Sequence, residues 1–212
     1  AGAPIIFTNG ASDTVPLWYN QETEGFRTDT RTCNLSYLQT DWYIDQMKRP
    51  AYDSPSLPIT WERMEYVEGT NEYVPVRPEY KKSIDALYAE AEKQVLAGNK
   101  EAMVNVQKEF GENPYELKNI LKHWVRSENE ELKVIPTDSI VIKVDKEAVR
   151  RSGMMIPGDS IPDYMHISLK GKRALYKKDL MMLEMLAEAN WERPIYIAVS
   201  VGREEQLGME NH

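Results

Sequence analysis

Between Ile5 and Met47 the chain switches twice from a short apolar run to an amphipathic one, and that rhythm leaves few folds open. Ile5 to Thr8 is apolar and is bounded by Pro4 and by Asn9-Gly10, as expected of a buried strand. Ser12, Asp13 and Thr14 are candidate caps for a helix, Pro16 is tolerated in its first turn, and Gly25 ends it. Residues 30–38 read as a second strand. Asp41 then opens a short helix through Ile44 and Met47, which halts before Pro50. Strand–helix–strand–helix is the pattern of parallel strands with helices packed on them.

Further along the rhythm changes. Pro50, Pro55, Pro58, Pro75 and Pro78 interrupt it, and residues 64–67 and 72–76 flank Gly69-Thr70-Asn71 as the two legs of a hairpin would. Ile84, Leu87, Tyr88, Ala91 and Val95 share one helical face, closed by Gly98-Asn99. A second helical region, 100–127, divides at 111–114 and carries the stripe Leu117, Ile120, Leu121, Trp124 and Val125. Strands are expected at 133–135, 139–144 and 164–169, with a loop marked by Pro157, Gly158 and Pro162. Residues 179–190 form a strongly apolar helix. Residues 195–201 are β-branched and are expected at the centre of the sheet. No packing pattern is visible from Arg203 to His212. The expected fold class is α/β: a three-layer, mostly parallel, Rossmann-like sheet flanked by helices. It forms one soluble domain over residues 1–212, with a hairpin and helical insertion at 51–130.

The chain has 212 residues, 42% hydrophobic and 28% charged, which is globular usage. Its formal net charge of −8 repels phosphate backbones, so nucleic acid is not an expected partner. Cys33 is the one cysteine, can form no internal disulfide, and is read as a buried small hydrophobe. No apolar run approaches the ~18 residues of a membrane span. The chain opens with Ala1-Gly2-Ala3-Pro4 directly before a strand, and is read as a piece of something longer.

Ligands of open parallel sheets sit beyond the carboxyl ends of the strands. The loop Asn9-Gly10-Ala11-Ser12-Asp13-Thr14 would lie there after the first strand. Thr40-Asp41-Trp42-Tyr43, with Asp45 one helical turn beyond Asp41, would lie there after the second. Asn9, Gly10, Asp13, Thr14, Asp41 and Trp42 are therefore the candidate lining of a shared ligand cleft. Two carboxylates one helical turn apart suit a cation or sugar hydroxyls, and aromatic faces beside carboxylates are common in carbohydrate sites. The plainer alternative makes Asp13 and Asp41 helix caps and Trp42 core. Neither GxGxxG nor GxxxxGK[ST] occurs, so no nucleotide cofactor is indicated. His123, His166 and His212 are far apart and form no zinc pattern, and GxSxG is absent, so no metal and no catalytic residue is assigned. Asn34-Leu35-Ser36 fits a glycosylation sequon but falls within the expected strand, where such a match is read as chance.

The runs from Ile5 to Tyr52 and from Ala174 to Glu204 resemble a family of large bacterial multi-spanning membrane proteins of unknown function. Thr40 to Arg49 (TDWYIDQMKR) and Asn190 to Tyr196 (NWERPIY) are its most specific stretches. That family is similar to the lipid-sugar-dependent glycosyltransferases whose animal relatives are protein O-mannosyltransferases. The resemblance implies that this chain is the soluble extracytoplasmic part of such a protein, on the periplasmic face of a bacterial inner membrane. Its partners would be the membrane domain of the same polypeptide and an acceptor protein or glycan. The transferase chemistry would lie in the parent, so no catalytic residue is carried over. The family's turn reads NGDNDT, whereas this chain has Ala11 and Ser12 at the middle Asp and Asn positions and keeps Asp13 and Thr14. Two other readings stay open: a freestanding α/β enzyme acting on a sugar or phosphorylated small molecule, and a structural assembly module.

Overall fold

A computed structural model describes residues 2–153, 158 and 160–209. Pro157 and His212 lie outside them. In chain order the strands are β1 (Ile5–Thr8), β2 (Arg31–Asn34), β3 (Tyr73–Pro75), β4 (Ser139–Lys143), β5 (Tyr164–Ser168), β6 (Ala174–Tyr176) and β7 (Ile195–Ile197). The α-helices are α1 (Ala11–Glu24), α2 (Leu35–Leu38), α3 (Asp41–Met47), α4 (Arg63–Tyr66), α5 (Tyr80–Leu96), α6 (Glu101–Phe110), α7 (Leu117–Ile120), α8 (Lys146–Ser152) and α9 (Lys177–Glu188). The chain is mixed α/β. It divides into two compact units, the first comprising Ala1–Tyr73, Lys143–Met165 and Tyr176–His212, the second Val74–Ile142 and His166–Leu175.

The first unit holds a three-stranded parallel sheet in the order β2-β1-β7. Ile5 and Phe7 of the central strand are fully buried, as is Cys33 beside Phe7 on β2. Burial pushes the Cys33 thiol up to about 12, with Arg31 opposing the shift. The native chain should therefore resist alkylation at about pH 8 and react fully only in denaturant, a difference that mass spectrometry reads directly.

Along α9, Leu180, Met181, Met182, Leu183 and Met185 are buried, and so are Lys177, Asp179 and Glu184. The Glu184 carboxylate is satisfied by the amide and hydroxyl of Thr60 at 2.9 and 2.6 Å. Asn190 and Trp191, both left-handed, turn the chain from α9 into β7. This conformation costs a side chain like tryptophan about 1–3 kcal/mol. The indole N–H is anchored on the Lys143 carbonyl at 3.0 Å.

The second unit packs Ile84, Phe110, Trp124 and Val134 into one cluster. The Phe110 and Trp124 rings stack at 5.5 Å, and Tyr80 meets Trp124 edge-on at 5.9 Å. A turn of π-helix, Leu121–Val125, continues α7 and carries that tryptophan. Gly111 sits at φ +89° against the Asn119 amide, which a Cβ there would have to displace.

Several expectations from the sequence are corrected. The parallel sheet has three strands, while β3–β6 and β4–β5 form separate small antiparallel sheets. Residues 30–38 are not one strand: β2 ends at Asn34, whose side chain caps α2. The expected hairpin does not form. Its first leg contains the single helical turn α4, and β3 pairs with β6 instead. Residues 133–135 contribute only a bridge from Ile135 to Val76. β7 is a short edge strand rather than a central one. The tail does pack, since Leu207 and Met209 are buried.

Candidate functional site

Strand β1 is followed by α1 and then β2 on one side, while β7 arrives on its other side from α9. The strand order therefore reverses about β1. In open parallel sheets the connections diverge at such a switch, and it is there, beyond the carboxyl ends of the strands, that a ligand crevice forms. Asn9 follows β1, Ser36 follows β2 and Ser200 follows β7, and hydrogen bonds through Asn9 and Asp13 join them into one cluster at this crevice position.

Asp13 reaches back from the first turn of α1. Its carboxylate accepts from the Asn9 amide at 2.8 Å and from the Ser200 hydroxyl. Desolvation pushes this carboxyl upward, but the Ser200 and Asn9 donors outweigh it and hold it below the usual carboxylate range. It is thus an ionised acceptor at neutral pH, unsuited to proton donation. The Asn9 side chain accepts from Ser36 Oγ at 2.8 Å and donates to Glu205. Glu205 also pairs with Lys178 from the first turn of α9. The backbone amide of Lys178 donates to Gln39 Oε1 at 3.1 Å, and the Gln39 amide donates to Glu72.

Beneath this layer lies a second, buried one. Thr14 Oγ1 donates to the Gly10 carbonyl at 2.6 Å, so at the 2.7 Å contact between the two hydroxyls Thr8 is the donor. Asn34 Nδ2 donates to Thr14 Oγ1 and to the Gly10 carbonyl at 2.9 and 3.1 Å. Its Oδ1 accepts from the Ser36 amide at 2.9 Å. One buried amide therefore ties the β1–α1 turn to the β2–α2 turn. Gly10 itself has φ +96°, which a residue with a Cβ rarely adopts, and the space beside it is open.

The hydrogen bonds divide the six candidate residues into two groups. Asn9, Gly10, Asp13 and Thr14 are joined in the crevice. Asp41 is bound elsewhere, to Arg63 at 3.4 Å and the Glu68 amide at 3.3 Å, and Asp45 is held by Arg63 and by the Tyr66 hydroxyl. Neither expected cap is one: α1 is capped by Gly10 and α3 by Thr40, both without a side-chain hydrogen bond. Trp42 is not core either, being 54% exposed. Its ring lies 6.0 Å from that of Tyr37, itself 41% exposed. Tyr37 adjoins Ser36, so exposed aromatic surface flanks the polar crevice.

Sequence reasoning missed Asn34, Ser36, Lys178, Ser200 and Glu205. The signal for the first was present. An Asn ahead of Leu-Ser-Tyr-Leu is an N-cap pattern, and the apolar run before it concealed the break. Ser200 and Glu205 become candidates only once β7 is placed next to β1. Among the described residues no group of three or more His, Cys, Asp or Glu side chains is placed to hold a metal ion. Glu116, whose carboxyl desolvation raises, is spent on capping α7 through the Lys118 amide at 2.8 Å.

Neither a curated protein nor a solved structure matches the chain. A family model, TMEM260-associated domain 2, matches residues 1–212.

Proposed function

Because the chain belongs to the TMEM260-associated domain 2 family, which is tied to a membrane protein family, we propose that it is a non-catalytic, glycan-binding or acceptor-binding domain of a membrane glycosyltransferase-like polypeptide. Among the described residues no helix is long and apolar enough to cross a membrane. In this reading the membrane part of the same polypeptide supplies the anchor and the transferase chemistry. This domain then presents an acceptor or its sugars on the extracytoplasmic side.

The observation that carries the reading is the polar cluster at the strand switch. A sugar hydroxyl both donates and accepts, and the crevice offers both kinds of partner within one cluster: carboxylates from Asp13 and Glu205, the Lys178 ammonium, the Asn9 amide, and the hydroxyls of Ser36 and Ser200. Convergent polar groups of this kind fix a ligand's orientation. Trp42 and Tyr37 add exposed ring faces for the apolar side of a sugar ring. Two carboxylates against one ammonium disfavour a phosphorylated ligand.

Isothermal titration of neutral oligosaccharides into the 212-residue chain tests this. Binding should weaken about tenfold, or ~1.4 kcal/mol, in Asp13→Asn and again in Trp42→Ala. Failure of every oligosaccharide to bind, or binding untouched by both substitutions, defeats the proposal.

A further inference from the structure

The two edges of the parallel sheet are unlike. β2 is buried along its whole length, whereas β7 is half-buried at Ile195 and Ile197 and exposed at Tyr196. A cavity of about 600 Å³ runs beside β7, within the size range of ligand sites. Ile195, Tyr196, Ile197, Ala198 and Val199 form one wall, and Val149, Met165, Leu186 and Trp191 contribute to the rest.

Side chains of a strand alternate between faces. The cavity is lined by all three residues of β7 and by Ala198 and Val199 just after it, side chains of both facings, so it lies along the strand's edge rather than over one face. The backbone agrees. The Pro194 carbonyl accepts from Ile5 and the Ala198 amide donates to Phe7, both at the β1 side. Ile195 is paired with Ile5 and Ile197 with Phe7 in parallel register, and in that register these residues turn their own amides and carbonyls the other way. Among the described residues no backbone or side-chain hydrogen bond is made to those groups of Ile195 and Ile197. Val199 beside them is fully exposed.

From this geometry we infer that β7 accepts an extended polypeptide segment as a fourth strand, with the segment's apolar side chains seated in the cavity. An alternating row of amides and carbonyls at strand spacing is matched by another backbone and not by a lipid chain or a sugar. The net charge of −8 favours a segment with basic flanks, held clear of Arg193, the one charged residue in the cavity's lining. Unguarded edges are otherwise a hazard that proteins blunt with lysine, proline or a covering element. The cavity shares no lining residue with the polar crevice, although Val199 adjoins Ser200 and Gln206 adjoins Glu205, and the inference does not rest on the glycan reading.

The probe is a short blocked peptide alternating valine and threonine with a lysine at each end. Amide hydrogen exchange is followed by NMR on the whole chain. At saturation the Ile195 and Ile197 amides should exchange at least about tenfold more slowly. The same peptide N-methylated at alternate residues keeps its side chains but loses strand pairing, and it should not bind. Trp42→Ala should bind the unmethylated peptide as the parent does, which separates this test from that of the crevice. No binding, binding without protection of these amides, or equal affinity for the methylated peptide overturns the inference.

Discussion

Glu72→Gln is expected to destabilise the first unit by about 2–3 kcal/mol, read as a lower urea midpoint at neutral pH. The cause is Lys177, at the start of α9, whose side chain is buried while its ammonium lies 2.6 Å from Glu72 Oε1. The only other oxygen within reach among the described contacts is the Val67 carbonyl, at 3.4 Å. Removing one partner of a buried pair leaves an uncompensated charge, at roughly 3–5 kcal/mol. The lower figure applies here because the Glu72 side chain is 39% exposed and partly screened. The reverse change, Lys177→Met, should cost less, since Glu72 can hydrate when left alone. The double variant should recover most of what Glu72→Gln loses, because no buried charge then remains. The pair also sets an acid limb. Desolvation raises the Glu72 carboxyl, but the Lys177 ammonium, the Gly69 amide and the Gln39 amide together hold it below its ordinary 4.5. A depressed folded value contributes stability that is present above the unfolded value and lost as pH falls through the folded one. The parent should therefore lose stability below about pH 4.5, and Glu72→Gln should lack that part of the loss.

Much of the architecture was written in local chemistry. Ile5 to Thr8 and the helix after it were legible because the strand is apolar throughout and Gly25 closes the helix in a left-handed conformation. Residues 177–188 were legible because their apolar positions saturate every face. What escaped depends on contacts between distant segments. Whether Ile195–Ile197 lies at the centre or the edge is decided by what packs beside it. Its β-branched composition reports burial in general and not neighbours. The leg 64–67 looked like a strand by residue type, but the reciprocal capping of Glu62 and Glu65 fixes a helical turn there. The crevice was half legible for the same reason. Asn9, Asp13 and Thr14 follow a recognisable strand, whereas Ser200, Glu205 and Lys178 reach it through the β1–β7 pairing. The contacts of Asp41 were not legible because Arg63 and Glu68, far along the chain, supply them.

Asn34 is the residue through which stability and crevice are most tightly linked, and its variants separate the two roles of one amide. It is almost wholly buried. Asn34→Ala deletes the α2 cap, worth about 1 kcal/mol, and leaves Thr14 Oγ1 and the Gly10 carbonyl short of a donor, at a further ~1–3 kcal/mol. Urea unfolding should show a loss of about 2–4 kcal/mol. Asn34→Asp keeps the acceptor that caps Ser36 but removes the donor. At neutral pH it places a carboxylate against the Gly10 carbonyl, at a cost of about 3 kcal/mol or more. If Thr14 turns its hydroxyl to meet the new carboxylate, the Gly10 carbonyl loses that bond as well. A protonated carboxyl can donate as the amide did, so the folded chain should favour the protonated form and raise that group's pKa. Stability from a raised group is complete below the unfolded value, about 3.9 for an aspartate, and is lost as pH rises through the folded one. Asn34→Asp should therefore gain stability as pH falls from 7 towards 4, against the direction set by Glu72. A flat or falling profile for this variant would show that the Asn34 donor carries little energy. Because Asn34 holds Ser36 and Gly10 in register, both variants should also weaken oligosaccharide binding by more than Asp13→Asn does. Strand addition at β7, on the far side of β1, should be left intact in Asn34→Asp near pH 4, where the fold is restored.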